Sequence, residues 1–187
     1  ILEKADIVIL EINEHLPRIL GGFDEFIHLS EVDYVVEGPH DPLPQFPVAK
    51  ATEEDRRIAE HIVPFVKNGA TLQLGIGAMP NVVGSLLAQS DLKDLGVHTE
   101  MYVDAFVDMS LAGRITGACK PFDRGRQTYA FAAGTQKLYD FLNNNPECMA
   151  APVNYVNDIA RVSQIDKFTS INGAVDIDLF GQVSSES

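Results

Sequence analysis

Short apolar runs alternate with stretches in which apolar residues recur at helical spacing, and this alternation runs through most of the chain. Residues 7–12, 32–36, 71–74, 97–101 and 128–132 read as strands. Thr52-Glu53-Glu54-Asp55 has the signature of a helix start: a capping hydroxyl, acids in the first turn and an acid at the third helical position. Ile58, Ala59, Ile62, Phe65 and Val66 continue that helix, with Pro64 predicting a kink in its last turn and Asn68-Gly69 its end. Val82, Val83, Leu86 and Leu87 mark a second helix and residues 105–112 a third. Lys137, Leu138, Phe141 and Leu142 mark a fourth, stopped by Asn143-Asn144-Asn145-Pro146. Residues 114–118, 149–153 and 168–171 predict further strands, and 174–179 alternates like an antiparallel or edge strand. Strands alternating with helices predict an α/β protein built on an open, mainly parallel sheet with helices on both faces.

Pro39, Pro42, Pro44 and Pro47 forbid regular structure in the segment 38–47, which reads as an extended linker. A domain boundary is expected there. Residues 1–48 would be the end of one domain plus the linker, and residues 49–187 most of a second. Ile1-Leu2-Glu3-Lys4-Ala5 reads as a helix tail feeding the first strand, and the last residues follow a strand with no closing element. The chain is therefore expected to be an internal piece of a longer polypeptide.

Charge and composition remove several classes of function. A formal net charge of −13 argues against nucleic acid or an anionic membrane as partner, since both demand a cationic footprint. Cys119 and Cys148 are far apart and supply no disulfide framework, so a reducing cytoplasm is the expected location. No apolar stretch approaches the roughly 18–20 residues that span a bilayer. At 187 residues and 45% hydrophobic content, the chain suffices for one large core or one and a half domains.

The chemistry concentrates in Gly75-Ile76-Gly77-Ala78-Met79-Pro80-Asn81 and in Val97-His98-Thr99-Glu100-Met101. In the first, glycines permit close approach of a ligand to the backbone, and Pro80 suits a first helical turn, where its missing N–H costs nothing. Free N–H groups and the helix dipole there suit a phosphate or a developing oxyanion. An ordinary tight strand–helix connection accounts for the same residues. A dinucleotide fingerprint does not: Pro80 stands where its third glycine belongs, and Gly84 comes too late, although Glu100 lies near the distance of its acid. Glu100 reads as a carboxylate in the middle of a buried strand, flanked by Val97, Met101 and Val103, where it must be paired, metal-bound or functional. His98 shares its strand face and either tunes the acid or is a satisfied core histidine.

These two blocks, the second extended back to Asp94-Leu95-Gly96, resemble the acetyl-CoA hydrolase/transferase family, nearest to 4-hydroxybutyrate and butyryl-CoA:acetate CoA-transferases. The likeness continues in Gly134-Thr135-Gln136-Lys137-Leu138-Tyr139-Asp140-Phe141, in Pro152-Val153-Asn154-Tyr155-Val156-Asn157-Asp158, in Ser170-Ile171-Asn172-Gly173-Ala174-Val175 and in Gly181-Gln182-Val183. The resemblance implies a CoA-transferase-like fold of two related domains with the active site between them, and a dimer or higher homo-oligomer. It implies transfer of CoA between an acyl-CoA and a free carboxylate such as acetate, with Glu100 as covalent nucleophile. The same residues would serve an acyl-CoA hydrolase, and a non-catalytic CoA- or nucleotide-binding module is the rival from another class. Coenzyme A is then a substrate; no tightly bound cofactor and no metal is expected. By the same likeness, Gly75, Gly77, Ala78, Met79, Pro80 and Asn81 form the CoA-contacting turn, and Val175 makes a second contact through its main chain. Asn157 orients the glutamate, although its neighbours alone also allow a turn or helix cap. The chain departs from the pattern at Ala105, where relatives carry glycine, and the family's later glycine-rich loop falls beyond Ser187.

Overall fold

Two strands, β1 (Ile9–Ile12) and β2 (Tyr34–Glu37), pair in parallel ahead of the proline-rich segment. The computed structural model of the protein describes residues 2–46 and 50–185. The domain boundary expected after Val48 lies outside the described residues. Up to Phe46 the proline-rich segment forms no helix or strand, His40 turning it at φ +56°, and it is docked on the fold. Leu43 packs on the main core, the Tyr139 hydroxyl donates to the Pro44 carbonyl at 2.9 Å, and the Phe46 N–H donates to the Gly134 carbonyl at 3.0 Å.

Helix α1 (Glu53–Ile62) begins as its sequence dictates: Thr52 accepts from the Asp55 N–H, and Asp55 accepts in return from the Thr52 N–H. Pro64 does not merely kink it. The α-helix ends at Ile62 and one 3-10 turn, Val63–Phe65, takes the proline near its start, so the chain leaves helical geometry before Asn68-Gly69. Next come β3 (Thr71–Leu74), α2 (Ala78–Gln89), β4 (Gly96–Tyr102), α3 (Asp104–Leu111), β5 (Gln127–Ala132), α4 (Gln136–Leu142) and β6 (Cys148–Ala150). Two single-turn helices, α5 (Val153–Val156) and α6 (Ile159–Val162), lead to β7 (Phe168–Ile171). The exposed hairpin of β8 (Asp176–Ile177) and β9 (Val183–Ser184) comes last.

Five of these strands form one all-parallel sheet in the order β6-β5-β4-β3-β7. The run from β3 to β6 steps one way across the sheet, and crossovers of one hand, the right-handed one by general rule, put α2, α3 and α4 on one face. There α2 packs on α1 and α3, and α3 on α4. The return from β6 to β7 crosses the other face, where α5 lies against β4 and β5. The expected open α/β sheet with helices on both faces is thus observed. Its switch point, where the strand order reverses, lies between β3 and β7, and ligands of open α/β sheets collect at the carboxyl ends of strands there.

Residues 114–118 do not form the strand their pattern predicts; they make a single bridge, Ile115 to Leu95, before Gly117 turns the chain at φ +64°. The reason is topological: β4 already has β3 on one edge and β5 on the other. The strand expected over 149–153 stops at Ala150, because Pro152 begins the turn into α5.

Leu72, Leu74, Val83, Leu87, Val97, Tyr102, Phe106 and Leu138 are fully buried between the sheet and the helix layer of α2 to α4. Lys120 is as deeply buried and is held by the Val97 carbonyl at 3.0 Å, the Arg126 carbonyl at 2.9 Å and Thr128 Oγ1 at 2.8 Å. Burial pushes its ammonium pKa down to about 8, and the nearby Asp123 opposes that shift. Lys120→Met would take the donor from those three acceptors at about 1–3 kcal/mol each, about 3–9 kcal/mol in all, offset in part by removal of a buried charge; we expect a net loss of about 2–4 kcal/mol at neutral pH, read as a lower melting temperature. The folded pKa lies below the unfolded one, so the unfolded state holds the extra proton above pH 8 and wild-type stability gains as the pH rises through this range. The gap between wild type and Lys120→Met should therefore widen from about pH 8 to about pH 10; a constant or narrowing gap would refute the assignment.

Candidate active site

Pairing between β3 and β4 is confined to Thr71–Gly96 and Leu72–Val97, and β3 ends at Leu74. Beyond Val97 the edge of β4 that faces β3 is open, and Glu100 is solvent-exposed there while residues 96–99 are buried. The expectation of a carboxylate in the middle of a buried strand is corrected accordingly: Glu100 stands near the carboxyl end of its strand, at the mouth of a cavity. Alternation places Gln73, His98 and Glu100 on the sheet face covered by α5, opposite the face of Leu72, Leu74 and Val97.

The cavity measures about 530 Å³. Its polar wall carries Gln73, Glu100, Asn157, Ser163, Ser170 and Asn172 over the buried His98; its apolar wall is Val156, Ile159, Val162 and Phe168. The Asn157 amide donates to Glu100 Oε2. The backbone of Asn157 also closes α5, its N–H donating to the Val153 carbonyl at 2.8 Å. Helix end and carboxylate partner, the two roles open in the sequence, are filled by one residue.

Gln73, Ser170 and Asn172 escaped the sequence analysis as site residues. The Gln73 and Asn172 side chains exchange hydrogen bonds, Gln73 Nε2 to Asn172 Oδ1 at 3.0 Å and Asn172 Nδ2 to Gln73 Oε1 at 2.8 Å, and Ser170 donates to Gln73 Oε1 at 2.5 Å. This cluster spans the switch point, since Gln73 and Ser170 are register partners on β3 and β7. The only local hint was a glutamine inside an otherwise apolar strand.

The turn before α2 lies at the same end of the sheet but does not line this cavity. The Gly75 N–H donates to the Ile171 carbonyl at 2.8 Å, and a Cβ on Gly75 would press on Asn172 Oδ1 at 2.7 Å. Gly77 precedes α2 at φ +118° and ψ 177°, and no side chain caps the helix. The first-turn N–H groups of Ala78 and Met79 have no intrahelical acceptor. Met79 packs on the core and Pro80 is buried. The Asn81 side chain donates to the Gly77 carbonyl at 2.9 Å, which braces the turn. Val175 is exposed and its N–H is taken by the Ser184 carbonyl at 2.9 Å. Ala105, where glycine was expected, faces away from the site: its methyl fills the space a Gly84 side chain would need, joining α3 to α2.

A carboxylate braced by an amide thus stands at the carboxyl edge of an open α/β sheet, at the same end as a glycine turn that opens a helix. The chain belongs to the acetyl-CoA hydrolase/transferase family. Residues 1–47 match the acetyl-CoA hydrolase/transferase N-terminal domain and residues 134–187 the C-terminal domain. Over all 187 residues the chain is 66% identical to the butyryl-CoA:acetate CoA-transferase of Anaerostipes caccae. It is 43% identical over 185 residues, 99% of its length, to the 4-hydroxybutyrate coenzyme A transferase of Clostridium kluyveri. Both matches cover 42% of the relative, so the chain spans less than half the length of these curated relatives. The crystal structure of RipA from Yersinia pestis superposes on the whole chain with a TM-score of 0.93 at 41% identity, over 42% of that protein. Among the described residues no helix is long and apolar enough to cross a membrane.

Proposed function

We propose that this chain carries the nucleophile of an enzyme that moves coenzyme A from a short-chain acyl-CoA to a free carboxylate such as acetate, with Glu100 as that nucleophile. The observation that carries the reading is the Asn157–Glu100 hydrogen bond at an open cavity on the carboxyl edge of the sheet. Asn157 holds Oε2 and leaves Oε1 to react. That oxygen attacks the thioester carbonyl, the C–S bond breaks, and an acyl-glutamyl anhydride and CoA thiolate result. The thiolate then adds to the Glu100 carbonyl, expelling the first acyl group as a carboxylate and leaving a glutamyl-CoA thioester. An incoming carboxylate runs the same two exchanges in reverse and restores Glu100. Splitting one difficult exchange into covalent steps conserves the thioester's energy. The names of the relatives in Anaerostipes caccae and Clostridium kluyveri support transfer and short acyl chains.

On this reading residues 1–48 close an N-terminal domain and residues 49–187 supply most of a C-terminal one, and CoA passes through as substrate. The turn from Gly75 to Asn81 would offer main-chain donors to CoA. Full-length protein incubated with butyryl-CoA and no acceptor should gain the mass of a CoA thioester on the peptide containing Glu100, and borohydride should reduce that thioester to the alcohol, releasing CoA and leaving the enzyme permanently inactive. An unmodified peptide in an active enzyme would sink the proposal. Because Glu100 is exposed, water is a rival acceptor. Transfer predicts acetyl-CoA formation that depends on added acetate, whereas hydrolysis predicts thiol release indifferent to it.

A further inference from the structure

His98 is 1% exposed, and its Nε2 lies 2.8 Å from the Val156 carbonyl. A carbonyl only accepts, so Nε2 carries the proton and Nδ1 holds the lone pair. Nδ1 is buried with no hydrogen-bond partner among the described residues, and the ring meets Phe122 edge to face at 5.8 Å. Burial, reinforced by the Lys120 charge and opposed by the bond to Val156, holds the imidazole pKa below its usual value, which keeps the ring neutral.

The Val156 carbonyl matters through its neighbour in the chain, Asn157, whose amide donates to Glu100. A single-turn helix of four residues has little stability of its own. Its last carbonyls have no acceptor role inside the helix and need outside donors. His98 supplies one at Val156, one residue before the amide that braces the carboxylate. His98 and Glu100 are two positions apart on β4, so the path leaves the strand, crosses to α5 and returns to the same strand.

We infer that His98 is a positioning residue for the nucleophile: by binding the Val156 carbonyl it fixes the end of α5 that aims the Asn157 amide at Glu100. The inference rests on Glu100 being the nucleophile. It differs from a core histidine that only stabilises the fold, because it acts on Glu100 through Asn157 and through nothing else.

A double-mutant cycle in the full-length protein tests it, with His98→Leu, Asn157→Ala and the pair, and His98→Gln as the variant whose amide nitrogen reaches about as far as Nε2. His98→Leu should lower kcat up to about 100-fold, the cost of a misplaced reacting group, with little change in KM for acyl-CoA. In the Asn157→Ala background the same change should cost less than about threefold, because coupled residues are not additive. His98→Gln should recover much of the loss. Additive losses in the cycle, or a His98→Leu effect confined to melting temperature, would overturn the inference. So would a His98→Gln as slow as His98→Leu while equally stable. Undiminished transfer by Glu100→Ala would instead overturn the nucleophile reading beneath it.

Discussion

Glu100→Ala should abolish CoA transfer in the full-length protein, with a loss on the order of 10⁴-fold or more in kcat, the scale seen when a covalent nucleophile is removed. The fold should survive, because Glu100 is exposed and its one described hydrogen bond is to Asn157. The mutant should bind acyl-CoA yet show neither a CoA thioester adduct nor exchange of labelled acetate into acetyl-CoA. Retained exchange would mean that another group forms the covalent bond. Glu100→Asp is the subtler case: a carboxylate one carbon shorter loses its place against Asn157, which should shift the residual reaction from transfer towards water attack.

The second large effect is expected at Gly77. Its φ of +118° with ψ of 177° belongs to a region essentially reserved for glycine, so any side chain adds backbone strain of about 1–3 kcal/mol. Space is not the obstacle, since a Cβ there would meet only Pro80 Cδ at 3.9 Å. Gly77→Val should therefore re-aim the N–H groups that open α2, raising KM for acyl-CoA and lowering kcat together. Losing one oxyanion donor costs about 2.7–4 kcal/mol, roughly a hundredfold or more. Gly113 is the control: it has φ +71°, an open surround and a place just past α3, away from the cavity. Gly113→Ala should share the stability loss without the kinetic one. Equal kinetics in both variants would reduce the turn to a packing device.

Much of the site was legible one element at a time. A strand, two glycines and a helix opening on Ala78-Met79-Pro80 are written in local periodicity and in backbone chemistry that only glycine and proline supply, and β3 and α2 fall where these signals put them. The capping box at Thr52 is equally local, and so were the elements that failed: 114–118 has strand-like residues but, past its bridge to Leu95, meets a β4 already paired on both edges at Val97. The helices α5 and α6 span one turn each, too short for a helical repeat to show in the sequence.

The sequence by itself determined the alternation of strands and helices from β3 to α4, the chemistry of the turn, and the carboxylate that the family resemblance marks as reactive. Each depends on neighbours within a few residues, whose preferences are set by backbone sterics and a short apolar repeat. Only the tertiary structure decided that Glu100 faces a cavity, that Asn157, 57 residues away, braces it, and that Gln73 meets Ser170 and Asn172 across nearly 100 residues. All three result from β7 inserting beside β3 and from β3 parting from β4 after Leu72. A period of two states which residues share a strand face; which strand lies alongside, and where it peels away, is settled by burial summed over the whole sheet.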